Sequence, residues 1–158
     1  MIEVIGQSLR LSPSVQVDMH DVSKVAGEVA AGMRAPSGLE TKLVEDLRQD
    51  LLPEWPEDWL SLERDRWDQL RLHALEALAQ QLQAIQQYVP ALQTALAAVA
   101  IDPARETAHR IVMEVHISEG NVASALKCYQ QYRNLLEREF NISPSPQMKE
   151  LVEELMPR

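Results

Sequence analysis

The sequence has 158 residues, of which 46% are apolar and 25% charged, enough to bury a core without disulfides or metal staples and outside the disordered range. Only 5 glycines and 4% aromatics, with Ala, Leu, Gln and Glu abundant, favour helix and leave little material for strands. The formal charge of −9 argues against direct nucleic-acid binding, which rests on Lys and Arg neutralising phosphates, and against a polybasic membrane contact.

The first twenty residues stand apart. Leu9, Leu11, Val15 and Val17 alternate with polar residues around Ser12-Pro13-Ser14, which predicts one or two short strands broken by a turn. From Asp21 the period becomes helical. Val22, Val25, Ala26, Val29 and Met33 form one face, and Gly32 and Pro36 end the run. Ser37-Gly38-Leu39-Glu40 reads as a capping box opening a short helix with Leu39, Leu43, Val44 and Leu47 inward. Pro53 and Pro56 stop it. A long helix follows from about Glu57 to Gln87, with Trp59, Leu62, Trp67, Leu70, Ala74, Leu78, Leu82 and Ile85 as its stripe. Its length implies an element that spans the domain and packs against several shorter ones. Pro90 lies in the first turn of a helix to Ile101, and Asp102-Pro103 reads as an N-cap with Pro at N1. That next helix ends at Gly120. Asn121 caps another, running to about Glu139. Ser143-Pro144-Ser145-Pro146 then precedes a last helix with Met148, Leu151, Val152 and Leu155 inward.

Two segments match at a period of 34, pairing Tyr88 with Val122, Ala91-Leu92 with Ala125-Leu126, and Ala95 with Tyr129. Around them a degenerate tetratricopeptide pattern is legible. The first unit uses Leu75, Leu78, Ala79 and Leu82, then Ala91, Ala95 and Ala98, and closes at Pro103. The second uses His109, Val112, Met113 and His116, then Ala125, Tyr129 and Tyr132, with Gly120 in the turn. The expected fold is therefore all-α: a tetratricopeptide-like antiparallel helical array with one long helix and a short extended N-terminal segment. Such arrays present a concave face to a partner.

The stretch Leu51-Leu52-Pro53-Glu54-Trp55-Pro56-Glu57-Asp58-Trp59-Leu60 carries a more specific signal. So do Glu63-Arg64-Asp65-Arg66, the run Gln69 to Glu76, the run Asp102 to Arg110, and the tail from Tyr132 to Pro146. Together, over residues 20 to 155, they resemble the bacterial transcriptional activator domain of the antibiotic-regulatory-protein (SARP-type) activators. The resemblance implies a tetratricopeptide-like module that dimerises or contacts RNA polymerase subunits, downstream of a winged-helix DNA-binding domain. On this reading residues 1–20 are a linker or exit segment from that winged helix, and residues 21–158 are the activator domain. DNA would be reached only through a domain outside this chain.

His109 and His116 lie seven apart, with His73 on the preceding helix. They fit packing positions better than a zinc site, which needs three convergent ligands. Cys128 is alone, so no internal disulfide or paired-cysteine motif exists. Glu57, Asp58, Glu63 and Asp65 read as an exposed helix start favoured by the dipole, not as a catalytic pair. No phosphate loop, nucleophile elbow or metalloprotease motif is present. The expectation is a non-enzyme with no cofactor and no metal. The longest apolar run, Ala95 to Ile101, is short of the roughly 20 residues needed to span a bilayer, and no signal peptide is visible. A cytoplasmic location with no membrane contact is expected.

Trp59 and Trp67 are expected to pin the short helix to the long one. Trp55, in the loop, could instead contact a partner. The concave face is assigned to His73, Glu76, Gln80 and Gln83 on the first unit and Arg110, Glu114 and Ile117 on the second. That polar row suits a peptide or a helix; the same row could also be plain solvated surface or the seat of the N-terminal segment. The competing reading of the chain is a stand-alone tetratricopeptide-like adaptor or ligand-sensing module with no transcription role.

Overall fold

The computed structural model describes residues 2–5, 8–11 and 18–155. Strands β1 (Ile2–Ile5) and β2 (Ser8–Leu11) pair antiparallel, with Ile2 opposite Leu11 and Val4 opposite Leu9. The Ser12-Pro13-Ser14 turn expected from the sequence lies outside the described residues, as do Val15 and Val17. Seven helices follow among the described residues: α1 (Asp18–Ala30), α2 (Glu40–Leu47), α3 (Leu60–Ala84), α4 (Tyr88–Ile101), α5 (Glu106–Ser118), α6 (Val122–Phe140) and α7 (Pro146–Leu155).

Helix α3 is the axis of the molecule and packs against α1, α2, α4 and α5. Arg71, Leu72, Ala74, Leu75, Glu76, Leu78 and Ala79 are all buried, so its middle is covered on nearly every side. Leu75 and Leu78 are at most 1% exposed. Each contributes about 2–3 kcal/mol by leaving water. Small residues set the close approach of the hairpins: Ala91, Ala95, Ala98 and Ala125 are fully buried.

The repeat extends into the turns. Gly120 (φ +81°) and Gln86 (φ +61°), 34 residues apart, are both left-handed. In each case the following N–H reaches five residues back, Gln87 to the Leu82 carbonyl at 2.9 Å and Asn121 to His116 at 2.8 Å. The left-handed residue closes the inner bond, to Gln83 and Ile117 respectively, both at 2.9 Å. These are two Schellman motifs, and they terminate α3 and α5 in the same way. Gly32 (φ +92°) does the same after α1.

Several helix boundaries differ from expectation for local reasons. Helix α3 starts at Leu60 and stops at Ala84, inside the expected span of 57–87, because Gln86 turns left-handed without a glycine to announce it. The outer ends of its stripe are uncovered: Trp59, Leu62 and Ile85 are exposed, while Leu60 takes the buried position. Met33 follows the Gly32 cap, leaves the helical register and is exposed. No capping box forms at Ser37. Gly38 is left-handed, Leu39 is the cap residue with no side-chain bond, and Leu39 is exposed. Asp102 does not cap α5. Its carboxylate accepts the Ala104 N–H at 3.0 Å and its carbonyl accepts Arg105 at 3.2 Å, making a turn that delays α5 to Glu106. Asn121 sits at the cap of α6, but its side chain donates to Glu119 (3.1 Å) instead of accepting a helix N–H. Helix α7 does have a side-chain cap: Ser145 Oγ accepts the Met148 N–H at 3.3 Å, with Pro146 at N1.

Candidate protein-interaction face

Helices α3 and α5 are the first helices of successive hairpins and pack side by side. Residues His73, Glu76, Gln80 and Gln83 run down α3 at three- and four-residue steps, opposite Arg110, Glu114 and Ile117 on α5. The structure divides this row by role. Glu76 is 8% exposed. It accepts from Arg105 Nε (2.6 Å) and Nη2 (2.9 Å) and from Thr107 Oγ1 (2.6 Å). Burial pushes its carboxyl up, but the bonds from Arg105 and Thr107 outweigh that and hold it below its ordinary value. Gln83 donates to Ser118 Oγ at 2.9 Å, and Ser118 donates on to the Glu114 carbonyl at 2.8 Å. Glu76 and Gln83 therefore tie the start and the end of α5 to α3.

His73, Gln80, Arg110 and Glu114 remain turned to solvent or to each other. His73 is exposed, its Nδ1 bonded to the Gln69 carbonyl at 2.7 Å, and Gln80 is exposed. Arg110 Nε lies 3.6 Å from Glu114 Oε1. Burial raises the Glu114 carboxyl, with Arg110 pulling the other way. Ile117 is half-buried against the cluster of Met113, Ala125, Tyr132, Leu136 and Met148.

A second structured region was not singled out as such in the sequence. Arg64, Trp67 and Arg71 fall on one face of α3 and hold the segment 48–55 by its carbonyl groups. Arg64 Nε donates to Leu51 (3.0 Å) and its Nη2 to Leu52 and to Trp55 (2.6 Å). Trp67 Nε1 donates to Gln49 at 2.9 Å. Arg71, with a side chain 5% exposed, donates to the carbonyls of Arg48 (3.4 Å) and Gln49 (3.2 Å) and pairs with Asp50 and Asp68, both at 2.7 Å. Of the two tryptophans expected to pin α2 to α3, Trp67 alone does so; Trp59 is 63% exposed, because it precedes α3 and lies beyond the reach of its neighbours. Trp55 is exposed as well. The available signal was the spacing of Arg64, Trp67 and Arg71 at three and four residues, with an adjacent Pro-rich loop whose carbonyl groups needed donors.

The histidines are spread through the packing. His109 stacks on Tyr132 with centroids 4.3 Å apart, and its Nε2 donates to the Pro103 carbonyl at 2.9 Å. Burial lowers its pKa, against the opposing pull of that bond and of Asp102. Tyr132 donates to the Ala104 carbonyl at 3.1 Å, and its phenol is pushed up to about 12 by burial and by Glu106. His116 Nδ1 lies 3.8 Å from Glu119. Burial raises the Cys128 thiol, which makes it a poor nucleophile. Among the described residues no three His, Cys, Asp or Glu side chains are grouped to hold a metal ion. No helix among them is long and apolar enough to cross a membrane.

The family described as "Bacterial transcriptional activator domain" matches residues 26–156, from the middle of α1 to just past α7. No curated protein matches the chain.

Proposed function

The chain belongs to the bacterial transcriptional activator domain family, and from that premise we propose that it acts without catalysis, by protein contact, as the activator part of a SARP-type regulator in the cytoplasm. DNA binding would be supplied by a winged-helix domain upstream, with residues 1–20 as the connection. The partner is an RNA polymerase subunit, a second copy of the chain, or both. The observation that carries this reading is the family match across both helical hairpins. It is supported by the α3–α5 row: Glu76 and Gln83 fix the two helices together from within, so that His73, Gln80, Arg110 and Glu114 are offered in a set geometry. A pre-ordered face loses less entropy on binding.

The test uses the regulator with its winged helix, promoter DNA and RNA polymerase. Replacing Gln80 and Arg110 by Glu should lower transcript yield about tenfold, the size expected for losing one or two contact residues. Promoter affinity should be unchanged. If the regulator on promoter DNA associates with no polymerase subunit and not with itself, the reading fails.

A further inference from the structure

Trp55 and Trp59 are 54% and 63% exposed, and Leu62 is 57% exposed. An indole carries about 200 Å² of burial potential, and leaving two uncovered in one short stretch is uneconomical for folding alone. Trp59 and Leu62 are one turn apart at the start of α3 and so stand side by side. Trp55 is held: its carbonyl accepts from Arg64 at 2.6 Å and its N–H donates to Leu52 at 3.1 Å. Leu52 adopts φ +46°, a left-handed conformation that is unfavourable for a bulky residue. The exposure of Trp55 thus belongs to an ordered, strained loop.

The charge left without a partner in this stretch is negative. Glu54, Glu57, Asp58 and Asp65 are exposed. Glu63 is paired with Arg66 at 2.6 Å, and Arg64 is committed to backbone carbonyls. A second copy seated here two-fold symmetrically would set these carboxylates against their own kind, and an anionic membrane would meet the same repulsion.

We propose that the Trp55–Trp59–Leu62 face docks a basic, amphipathic helix of another protein, its apolar stripe covering the two indoles and its Lys or Arg side chains pairing with Glu54, Glu57, Asp58 and Asp65. This stands apart from the α3–α5 row and from the question of whether that row meets the polymerase.

The probe is a synthetic Leu/Lys peptide patterned as an amphipathic helix, fluorescently labelled and titrated into the whole chain by anisotropy, with a Leu/Glu peptide of the same pattern as comparison. The basic peptide should bind with an affinity that falls as salt rises, and the acidic one should not bind. The double variant Trp55→Ser with Trp59→Ser should weaken binding about tenfold or more. So should Glu57→Lys with Asp58→Lys, which keeps both indoles. Phe140→Ser, which removes an exposed ring elsewhere, should bind as the parent does. Unchanged helical circular dichroism and Trp67 emission check that the variants are folded; Arg64→Met, which frees the loop, should bind less tightly than the parent. Equal binding of the acidic peptide, or full affinity in the Trp55/Trp59 variant, overturns the proposal. So does a chain that self-associates in sedimentation and becomes monomeric in that variant, since the face would then belong to a second copy.

Discussion

At the scale of single residues, Glu76 and His109 carry the electrostatic consequences of the fold. The Glu76 carboxyl is held below its ordinary value of 4.5 chiefly because bonds from Arg105 and Thr107 overcome its burial. The unfolded chain therefore takes up that proton first. The contribution of Glu76 to stability is complete above the unfolded value and drains away as pH falls through the native one. His109 is also depressed, from 6.5, with burial as the main cause. Its contribution is complete above about 6.5 and is lost as pH falls below it. Urea midpoints should thus decline in two steps, one setting in as pH falls below about 6.5 and one as it falls below about 4.5. His109→Gln should remove the upper step. Glu76→Gln should remove the lower one and cost about 2–4 kcal/mol at neutral pH, because Arg105 is left half-buried without its partner. A midpoint that does not move between neutral and mildly acid pH would contradict the burial of His109. The sequence placed Glu76 on the long helix α3. It did not reveal the ion pair, whose partner is 29 residues away and is brought near only when α5 folds back on α3.

At the scale of elements, the most legible feature was the period of 34, and the least legible was where each helix stops. Gly120 announces its turn because only glycine takes φ +81° without a side-chain clash against its own backbone. Gln86 occupies the equivalent position at φ +61° and gives no such signal. This pair makes a direct test. Gln86→Gly should stabilise by about 0.5–1 kcal/mol, the relief of left-handed strain less the entropy that glycine adds to the unfolded chain. Gly120→Ala should destabilise by about 1 kcal/mol, although no atom lies within 4 Å of the added Cβ. Thermal or urea unfolding that ranks the two changes in the opposite order would remove the equivalence of the two turns. The misread capping box at Ser37 and the misplaced start of α5 have a common origin. Motifs such as Ser-x-x-Glu and Asp-Pro describe local hydrogen bonds, and both segments found other local partners: a left-handed Gly38 in one, an Asp102 turn in the other.

At the scale of the whole molecule, two clusters divide the core. The larger joins α1 to α5, the smaller joins α5, α6 and α7 around Met113, Tyr132 and Met148, and Cys128 touches both. Helix α7 contributes Met148 as its one fully buried side chain and is clamped at its N-terminus by Glu106, which accepts from the Ser145 N–H at 2.9 Å and from its hydroxyl. In a stacked array, stability is close to a sum of neighbour contacts. Met148→Ala should therefore release α7 before the rest. The amides of 147–155 should lose hydrogen-exchange protection by about 2–4 kcal/mol, with α3 and α4 unaffected; equal loss throughout would mean that the two clusters unfold as one. The sequence by itself determined the helical class, the two hairpins and the family, because these rest on local propensity and on a periodic apolar pattern. Only the tertiary structure decided which ends of that pattern are covered. Trp59, Leu62 and Ile85 continue the stripe of α3 in sequence, yet they lie beyond the helices that pack on it. Arg71 and Glu76 interrupt the stripe in sequence, yet they are buried, because distant segments supply their partners. Periodicity specifies which residues share a face; what covers that face depends on contacts between residues far apart along the chain.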